Sequence, residues 1–216
     1  MADSDWDASE RADFTAVNRA TYDRIADLYT ANQREKKPAD GRWFPDIEDA
    51  FLGSVPAGGL LGDLGCGPGL DGARFAEAGF RVIGMDLSAG MLTVAARSLD
   101  GRVAQADLRA LPIEGDRLDG IWCSAALLHV PEEHTTDVLK EFRRVLRSSG
   151  SLALVTALGD GPRFEAVPYA PDERRWFVYR HADRLRQQLR ESGFNIRTEH
   201  EVVGNRKWAT LLASAV

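Results

Sequence analysis

The segment from Leu60 to Ser88 constrains the fold of this chain more than any other. An apolar run ends in a turn with four glycines, a short helical pattern follows, and a second apolar run ends at Asp86. This order is typical of two parallel β-strands joined by a helix. Glycines let the backbone approach a ligand closely, and the helix that follows directs its free amide groups at the same place. We therefore expect a ligand site at the end of the first strand.

The acidic residue that ends the second apolar run indicates which kind of ligand binds there. Asp86 lies 19 positions after Gly67. A carboxylate at this spacing can accept hydrogen bonds from both hydroxyl groups of a ribose. Two more acids accompany it, Asp63 just before the first glycine and Asp107 at the end of the third apolar run. The pattern predicts a cofactor that contains a nucleoside.

Together with Cys66 in the glycine turn, these acids resemble motif I and its acidic partner in the class I S-adenosylmethionine-dependent methyltransferases, of the small-molecule, type 11-like kind. The resemblance implies S-adenosylmethionine as the cofactor. It implies that Asp63 approaches the amino acid end of the cofactor, that Asp86 binds the ribose and that Asp107 lies beside the adenine. The full set of implied cofactor-binding residues is Asp63, Gly65, Cys66, Gly67, Gly69, Asp86, Leu87, Asp107, Leu108, Cys123 and Ser124.

The glycine turn leaves two alternatives to this interpretation. Residues Gly67 to Gly72 also satisfy the G-x-G-x-x-G pattern of NAD(P)-dependent oxidoreductases. A pyrophosphate would be repelled by Asp63, because like charges a few ångströms apart in a half-buried site disfavour each other. The acid therefore favours S-adenosylmethionine over a dinucleotide. A protein that binds S-adenosylmethionine without methyl transfer, as a regulator or a cyclase, is the third possibility.

From Leu60 onwards apolar runs alternate with helical patterns, which is typical of a parallel sheet with helices on both faces. The predicted helices after the glycine turn are Asp71 to Ala78, Ser88 to Leu99, Pro131 to Leu146 and Ala182 to Ser192. The last two predicted strands, Asn195 to Val203 and Lys207 to Ala213, are so close in sequence that they must form an antiparallel hairpin. The resemblance implies an α/β fold with a Rossmann-like sheet of seven strands in the order 3-2-1-4-5-7-6, with strand 7 antiparallel.

The length of 216 residues and the hydrophobic content of 44% suit one domain with one core. Its first helix is predicted at Asn18 to Asn32 and resembles the cap helix of small-molecule methyltransferases. The expected parts are a flexible segment at 1–15, cap helices at 16–55, a cofactor-binding core at 60–158, a substrate-side insertion at 159–180, and a last helix with the hairpin at 181–214.

Composition argues against several classes of function. The net charge of -6 disfavours nucleic acid as a partner, because proteins neutralise phosphates with lysine and arginine. The sequence shows neither a secretory leader nor an apolar run of about 20 residues, so we expect a cytoplasmic protein without a membrane partner. The two cysteines lack metal-binding spacing, so no metal is expected. The expected partner is a small-molecule acceptor.

The predicted activity is methyl transfer to an O, N or C atom of a small metabolite. The sulfonium of the cofactor supplies the electrophile and the leaving group, so catalysis is mainly alignment and desolvation. His129, after the fourth strand, is the candidate general base, since an imidazole of near-neutral pKa can accept a proton. The alternative is a histidine that only holds its loop in shape. The residues expected to contact the substrate are Tyr22, Tyr29, Arg163, Tyr169 and Tyr179.

Overall fold

The computed structural model describes residues 14–36, 38–204 and 206–216. Residues 1–13 of the segment that was expected to be flexible, 1–15, therefore lie outside the described residues. Phe14 and Thr15 already belong to the first helix, which is longer at both ends than the pattern predicted.

Six helices and nine strands are found in the described residues. The helices are α1 (Phe14–Lys36), α2 (Pro45–Ser54), α3 (Leu70–Glu77), α4 (Ala89–Ser98), α5 (Thr135–Val145) and α6 (Ala182–Glu191). The strands are β1 (Leu60–Leu64), β2 (Arg81–Asp86), β3 (Val103–Gln105), β4 (Leu118–Ser124), β5 (Leu146–Leu158), β6 (Gly161–Val167), β7 (Ala170–Tyr179), β8 (Phe194–Val203) and β9 (Lys207–Ala215). Two short 3₁₀ turns, Leu127–His129 and Glu132–His134, follow β4.

Seven strands form one sheet in the order β3-β2-β1-β4-β5-β9-β8. Strands β1 to β5 pair in parallel, whereas β9 is antiparallel to both β5 and β8. Strands β6 and β7 form a separate antiparallel hairpin, so β8 and β9 are the sixth and seventh strands of the main sheet. The predicted Rossmann-like order, with its antiparallel last strand, is confirmed.

Apolar side chains bury both faces of the sheet. Phe142 of α5 and Leu189 of α6 belong to the larger core cluster on one face. On the other face, Phe51 of α2 and Phe75 of α3 pack on Trp122 of β4, with ring centroids 5.6 and 5.4 Å away. Such aromatic pairs add about 0.5–1.5 kcal/mol each beyond the burial of their area. Trp122 thereby holds α2 and α3 in place beside the glycine turn.

The predicted helix from Pro131 to Leu146 is wrong at both ends. Pro131 is extended, with φ -53 and ψ 144, and a 3₁₀ turn separates it from α5. Leu146 continues the apolar pattern of the helix, but it pairs with Leu118 of β4 and begins β5. Strand pairing, which depends on a partner distant in sequence, has here overridden the local helical pattern.

The cap region and the insertion have distinct structures. Helix α1 packs against α4 and β7. Helix α2 contributes Phe51 to a core cluster of the sheet. The insertion expected at 159–180 is the β6–β7 hairpin, whose structure the sequence pattern left open. The polypeptide that covers the cofactor end of the sheet is therefore α1 together with this hairpin.

Candidate active site

A cavity of about 500 Å³ lies where β1 to β4 end. Its floor comes from the loops that follow these strands, and its roof from α1 and the β6–β7 hairpin. Parallel sheets bind ligands at the carboxyl ends of their strands, where neighbouring connections diverge. The position and size of the cavity suit a nucleoside cofactor together with a small second molecule.

The glycine turn after β1 brings its backbone against β2 and the β4 loop. The amide groups of Gly65 and Cys66 both donate to the carbonyl of Met85, at 2.7 and 2.9 Å. Gly65 has a φ of 73, and a Cβ at this position would overlap the Cβ of Ala126. Both the conformation and the close approach require glycine. The turn is thus held in one shape by packing as well as by hydrogen bonds.

Backbone amide groups hold the carboxylate of Asp86 in place. Its Oδ2 accepts from the amide of Gly67 at 2.9 Å, and its Oδ1 accepts from the amide of Ser88 at 2.9 Å. Each carboxylate oxygen has a second lone pair for a further donor. Burial raises the pKa of Asp86, although the two amide groups oppose this shift. The arrangement fits a ribose with two neighbouring hydroxyl groups.

Asp63 and Asp107 also line the cavity. Asp63 is buried, and its Oδ2 accepts from the amide of Gly72 in the first turn of α3 at 3.1 Å. Partial burial alone would raise the pKa of Asp107, but hydrogen bonds from Arg109 outweigh it and hold the pKa below its usual value. The Arg109 guanidinium contacts both carboxylate oxygens, at 2.9 and 2.6 Å. Asp107 therefore stays ionised and faces the cavity with a cation beside it.

Most of the predicted site residues meet in this cavity. Those that line it are Tyr22, Tyr29, Asp63, Gly65, Cys66, Gly67, Asp86, Leu87, Asp107, Leu108, Ser124, His129 and Tyr169. Four others are placed elsewhere. A Cβ on Gly69 would meet Ala95 of α4 at 3.1 Å, and the side chain of Cys123 is fully buried in the core. Arg163 stacks over the ring of Tyr179 at 3.8 Å, and neither side chain lines the cavity.

The hydrogen bonds of His129 assign its tautomer. Its Nδ1 lies 3.0 Å from the carbonyl oxygen of Trp176, which can only accept, and 3.2 Å from Nδ2 of Asn18, which can only donate. Nδ2 of Asn18 already donates to that same carbonyl at 2.9 Å, so the shorter contact decides the assignment and Nδ1 of His129 carries the proton. Its Nε2 then accepts from the hydroxyl of Tyr22 at 2.9 Å. Burial lowers the pKa of His129 to about 3, and it raises the pKa of Tyr22 to about 12. At neutral pH this pair is a neutral imidazole and a neutral phenol, which suits positioning better than base catalysis.

The loop that carries His129 is held by a buried cation. Arg180, at the end of the hairpin, donates to the carbonyl of Val130 at 2.8 Å and contacts Thr135 and Glu132 at 3.2 and 3.3 Å. Burial lowers the pKa of Arg180 to about 10, which leaves the side chain charged at neutral pH. One residue of the hairpin thereby connects the 3₁₀ turns, α5 and β7.

Sequence reasoning missed the polar side chains that reach the cavity from the hairpin and from the turn before β9. Arg175 of β7 lines the cavity, with its guanidinium 5.0 Å from the ring of Phe177. Arg206 also lines it and donates to Glu165 and Tyr179 at 2.9 and 3.0 Å. The arginines of the insertion were visible in the sequence, but alternation along an unrecognised strand decides which of them faces inward.

A family match over part of the chain agrees with this fold and this site. Residues 62–150 match the family model described as a methyltransferase domain. This part of the chain is a class I S-adenosylmethionine-dependent methyltransferase domain, and the cofactor predicted from the glycine turn is the cofactor of that class. The comparisons thus favour this interpretation over the dinucleotide-dependent oxidoreductase.

The relatives agree with this class and differ in the molecules for which they are named. Malonyl-[acyl-carrier protein] O-methyltransferase of Enterobacter lignolyticus is 32% identical over 58% of this chain and 51% of its own length. Demethylmenaquinone methyltransferase of Renibacterium salmoninarum is 31% identical over 62% of this chain and 56% of its own length. The chain thus spans only a little over half the length of these relatives.

Solved structures share the fold along nearly the whole chain. The 1,6-didemethyltoxoflavin-N1-methyltransferase of Burkholderia thailandensis superposes with a TM-score of 0.74 over 98% of this chain and 93% of its own, at 19% identity. The [4+2]-cyclase SpnF superposes with a TM-score of 0.69 over 91% of this chain, at 18% identity. At such identities these likenesses show the fold alone.

Two features are absent from the described residues. No helix in them is long and apolar enough to cross a membrane. No group of three or more His, Cys, Asp or Glu side chains in them could hold a metal ion.

Proposed function

We propose that this protein transfers a methyl group from S-adenosylmethionine to an O, N or C atom of a small metabolite. The observation that carries the proposal is the Asp86 carboxylate, which is held by the amides of Gly67 and Ser88 at the edge of a roofed cavity. The cavity continues past this point towards the hairpin, which leaves room for an acceptor beside the cofactor. A metabolic enzyme of this kind would act in the cytoplasm.

The cofactor, when bound, supplies a methyl group on a positively charged sulfur that is a good leaving group. The residues of this chain would bind, orient and exclude water. We propose that Asp86 takes the ribose hydroxyls, that Leu87 and Leu108 flank the adenine, and that Asp63 faces the amino acid end. Correct alignment of two reactants can supply about 7–11 kcal/mol of the barrier, so the absence of a strong base near Tyr22 and His129 does not argue against activity.

The acceptor is proposed to be small because the cavity is enclosed by α1 and the hairpin. Asn18 of α1 anchors this roof, since its side-chain amide pairs with both the N–H and the C=O of Trp176, at 2.7 and 2.9 Å. Thr21 donates to the carbonyl of Arg174 at 2.9 Å. A nucleic acid would need an open, basic surface, and the net charge of -6 disfavours such a surface. The relative named for demethylmenaquinone supports a small-molecule acceptor without identifying it.

The first test is calorimetric titration of the purified protein with S-adenosylhomocysteine and, separately, with NAD. We expect the first to bind and the second not to bind. Asp86→Asn should weaken S-adenosylhomocysteine binding by about 1.5–3 kcal/mol, because hydrogen bonds to a charged group are lost. Asp100→Asn is the matched control, because Asp100 is an exposed acid outside the cavity. Binding of NAD alone, or equal affinities in the two variants, would contradict the assignment.

Binding alone does not separate a methyltransferase from a regulator or a cyclase. The second test therefore follows the formation of S-adenosylhomocysteine from S-adenosylmethionine during a screen of small metabolites. Acceptor-dependent formation of this product supports methyl transfer. Tight binding without product formation across the screen would favour a protein that uses the cofactor in another way.

A further inference from the structure

Arg175 brings a positive charge into the roof of the cavity without a negative partner. Its guanidinium interacts with the hydroxyl groups of Tyr22, Tyr29 and Tyr169, which are neutral phenols at neutral pH. Among the described residues, no carboxylate forms an ion pair with Arg175. The Nε atom of Arg175 is buried and has no hydrogen-bond partner among the residues that the structure describes.

Two other arginines with little exposed surface have the negative partner that Arg175 lacks. Arg180 pairs with Glu132 at 3.3 Å, and Arg206 pairs with Glu165 at 2.9 Å. Burying a cation is unfavourable unless an anion and hydrogen bonds compensate for the lost water. The hydroxyl of Tyr169 is a second buried polar atom in the cavity wall without a hydrogen-bond partner among the described residues. Two donors without hydrogen-bond partners, one of them on a charged group, thus belong to residues that line the same cavity.

We propose that the methyl acceptor, in the function proposed above, carries a carboxylate that binds to Arg175 and Tyr169. Arginine suits this ligand because its planar group can donate two parallel hydrogen bonds to the two carboxylate oxygens. The remainder of the acceptor lies against the ring of Phe177, which also lines the cavity. The substrate class is a small organic acid with an apolar or planar body.

The position of Arg175 favours the acceptor over the cofactor as the source of this carboxylate. Arg175 lies on the same strand as Phe177, and Phe177 packs with Leu128 in the loop after β4. Asp86, the expected ribose ligand, ends β2, which lies two strands away from β4 in the sheet. S-adenosylmethionine has a carboxylate of its own, however, so the experiment must separate the two sources.

The first arm of the experiment compares S-adenosylhomocysteine with 5′-methylthioadenosine, which lacks the amino acid part and its carboxylate. Calorimetry measures both ligands on the wild type, on Arg175→Met and on Arg174→Met. Arg174 is the matched control, because it neighbours Arg175 on β7 but is exposed and does not line the cavity. We expect all three proteins to bind S-adenosylhomocysteine with the same affinity. A loss that is confined to Arg175→Met and to S-adenosylhomocysteine would assign the site to the cofactor and overturn the proposal.

The second arm measures acids on protein saturated with S-adenosylhomocysteine. The probes are benzoate, trans-cinnamate and trans-aconitate, each compared with its uncharged amide. We expect at least one acid to bind the wild type about tenfold or more tightly than its amide, and to lose this advantage in Arg175→Met but not in Arg174→Met. An acid that binds Arg175→Met as well as the wild type, or a panel without any preference for acids, overturns the proposal.

Thermal unfolding checks that Arg175 is a binding residue rather than a structural one. Because its charge is uncompensated, Arg175→Met without ligand should have a midpoint equal to or above that of the wild type. A lower midpoint than that of Arg174→Met would show that Arg175 stabilises the fold and would overturn the proposal. Failure of the wild type to bind S-adenosylhomocysteine at all would refute the proposed function itself, which is a different result from each of these.

Discussion

Replacing Gly65 by alanine should disrupt the cofactor site through one contact. Gly65 has a φ of 73, and alanine in this left-handed region costs about 1–2 kcal/mol. The new Cβ would also overlap the Cβ of Ala126 in the loop after β4. Overpacking of this kind typically costs a further ~1–3 kcal/mol. We expect the free energy of unfolding to fall by about 2–5 kcal/mol in Gly65→Ala.

Gly101→Ala separates the two contributions. Gly101 has nearly the same φ, 74, but a Cβ there would meet nothing within 4 Å. The free energy of unfolding of Gly101→Ala should therefore fall only by the conformational cost of about 1–2 kcal/mol. In a third protein, Gly65→Ala with Ala126→Gly, the nearest atom to the new Cβ becomes the Cα of residue 126, at an ordinary 3.5 Å.

Urea unfolding and S-adenosylhomocysteine titration should be measured on all of these proteins. We expect Gly65→Ala to lose both stability and affinity, and Gly101→Ala to retain its affinity. The double substitution should recover most of the affinity and the part of the stability that the overlap costs, but not the conformational cost at residue 65. Equal losses of unfolding free energy in Gly65→Ala and Gly101→Ala would refute the role of the contact with Ala126. So would a double variant that binds no better than Gly65→Ala.

Two further predictions concern buried groups around the cavity. Burial lowers the pKa of His129 to about 3. Below about pH 6.5 the unfolded chain therefore binds a proton at this residue that the folded chain does not bind. The free energy of unfolding consequently falls with decreasing pH, by up to about 1.4 kcal/mol per pH unit. In urea unfolding between pH 7 and 5, His129→Asn should show a shallower loss than the wild type, and identical slopes would refute the assigned neutral state. Arg180→Met should lower the free energy of unfolding by about 3–5 kcal/mol, because it leaves buried acceptors unpaired. Arg184→Met removes an exposed partner of the same Glu132 and should change the free energy of unfolding little. Similar losses of unfolding free energy in Arg180→Met and Arg184→Met would count against the buried network.

The parts of the fold that were predicted correctly are those that short-range sequence patterns determine. The glycine turn, the apolar strands and the acid after β2 all lie within 30 residues of one another, and each has its own conformational preference. The antiparallel last strand followed from the short connection between β8 and β9. Helix ends were less accurate, as at Leu146, because pairing with Leu118 decides that residue. The hairpin was not recognised because the polar and aromatic residues of the insertion suit a strand or a loop equally well.

The candidate site divides in the same way. The sequence placed Asp63, Asp86 and Asp107 at the carboxyl ends of neighbouring strands, and the sheet brings all three to one cavity. It could not show that Tyr179 packs under Arg163 and does not line the cavity, whereas Arg175 does. Neighbouring arginines on one strand alternate between faces, so a residue pair that looks alike in sequence has opposite environments.

The sequence by itself determined the class of cofactor and the alternation of strands and helices, because a glycine turn, an acid at a fixed spacing and alternating apolar runs act through short-range geometry. The order of the strands in the sheet followed from the family resemblance. The tertiary structure alone decided the acceptor end of the site. There, Asn18 meets Trp176 across 158 positions of the chain, and Tyr22 meets His129 across 107. Which charges are paired, which donors stay free and which tautomer a histidine adopts depend on such distant contacts. Burial then sets the energy of each group, and burial exists only once the chain has folded.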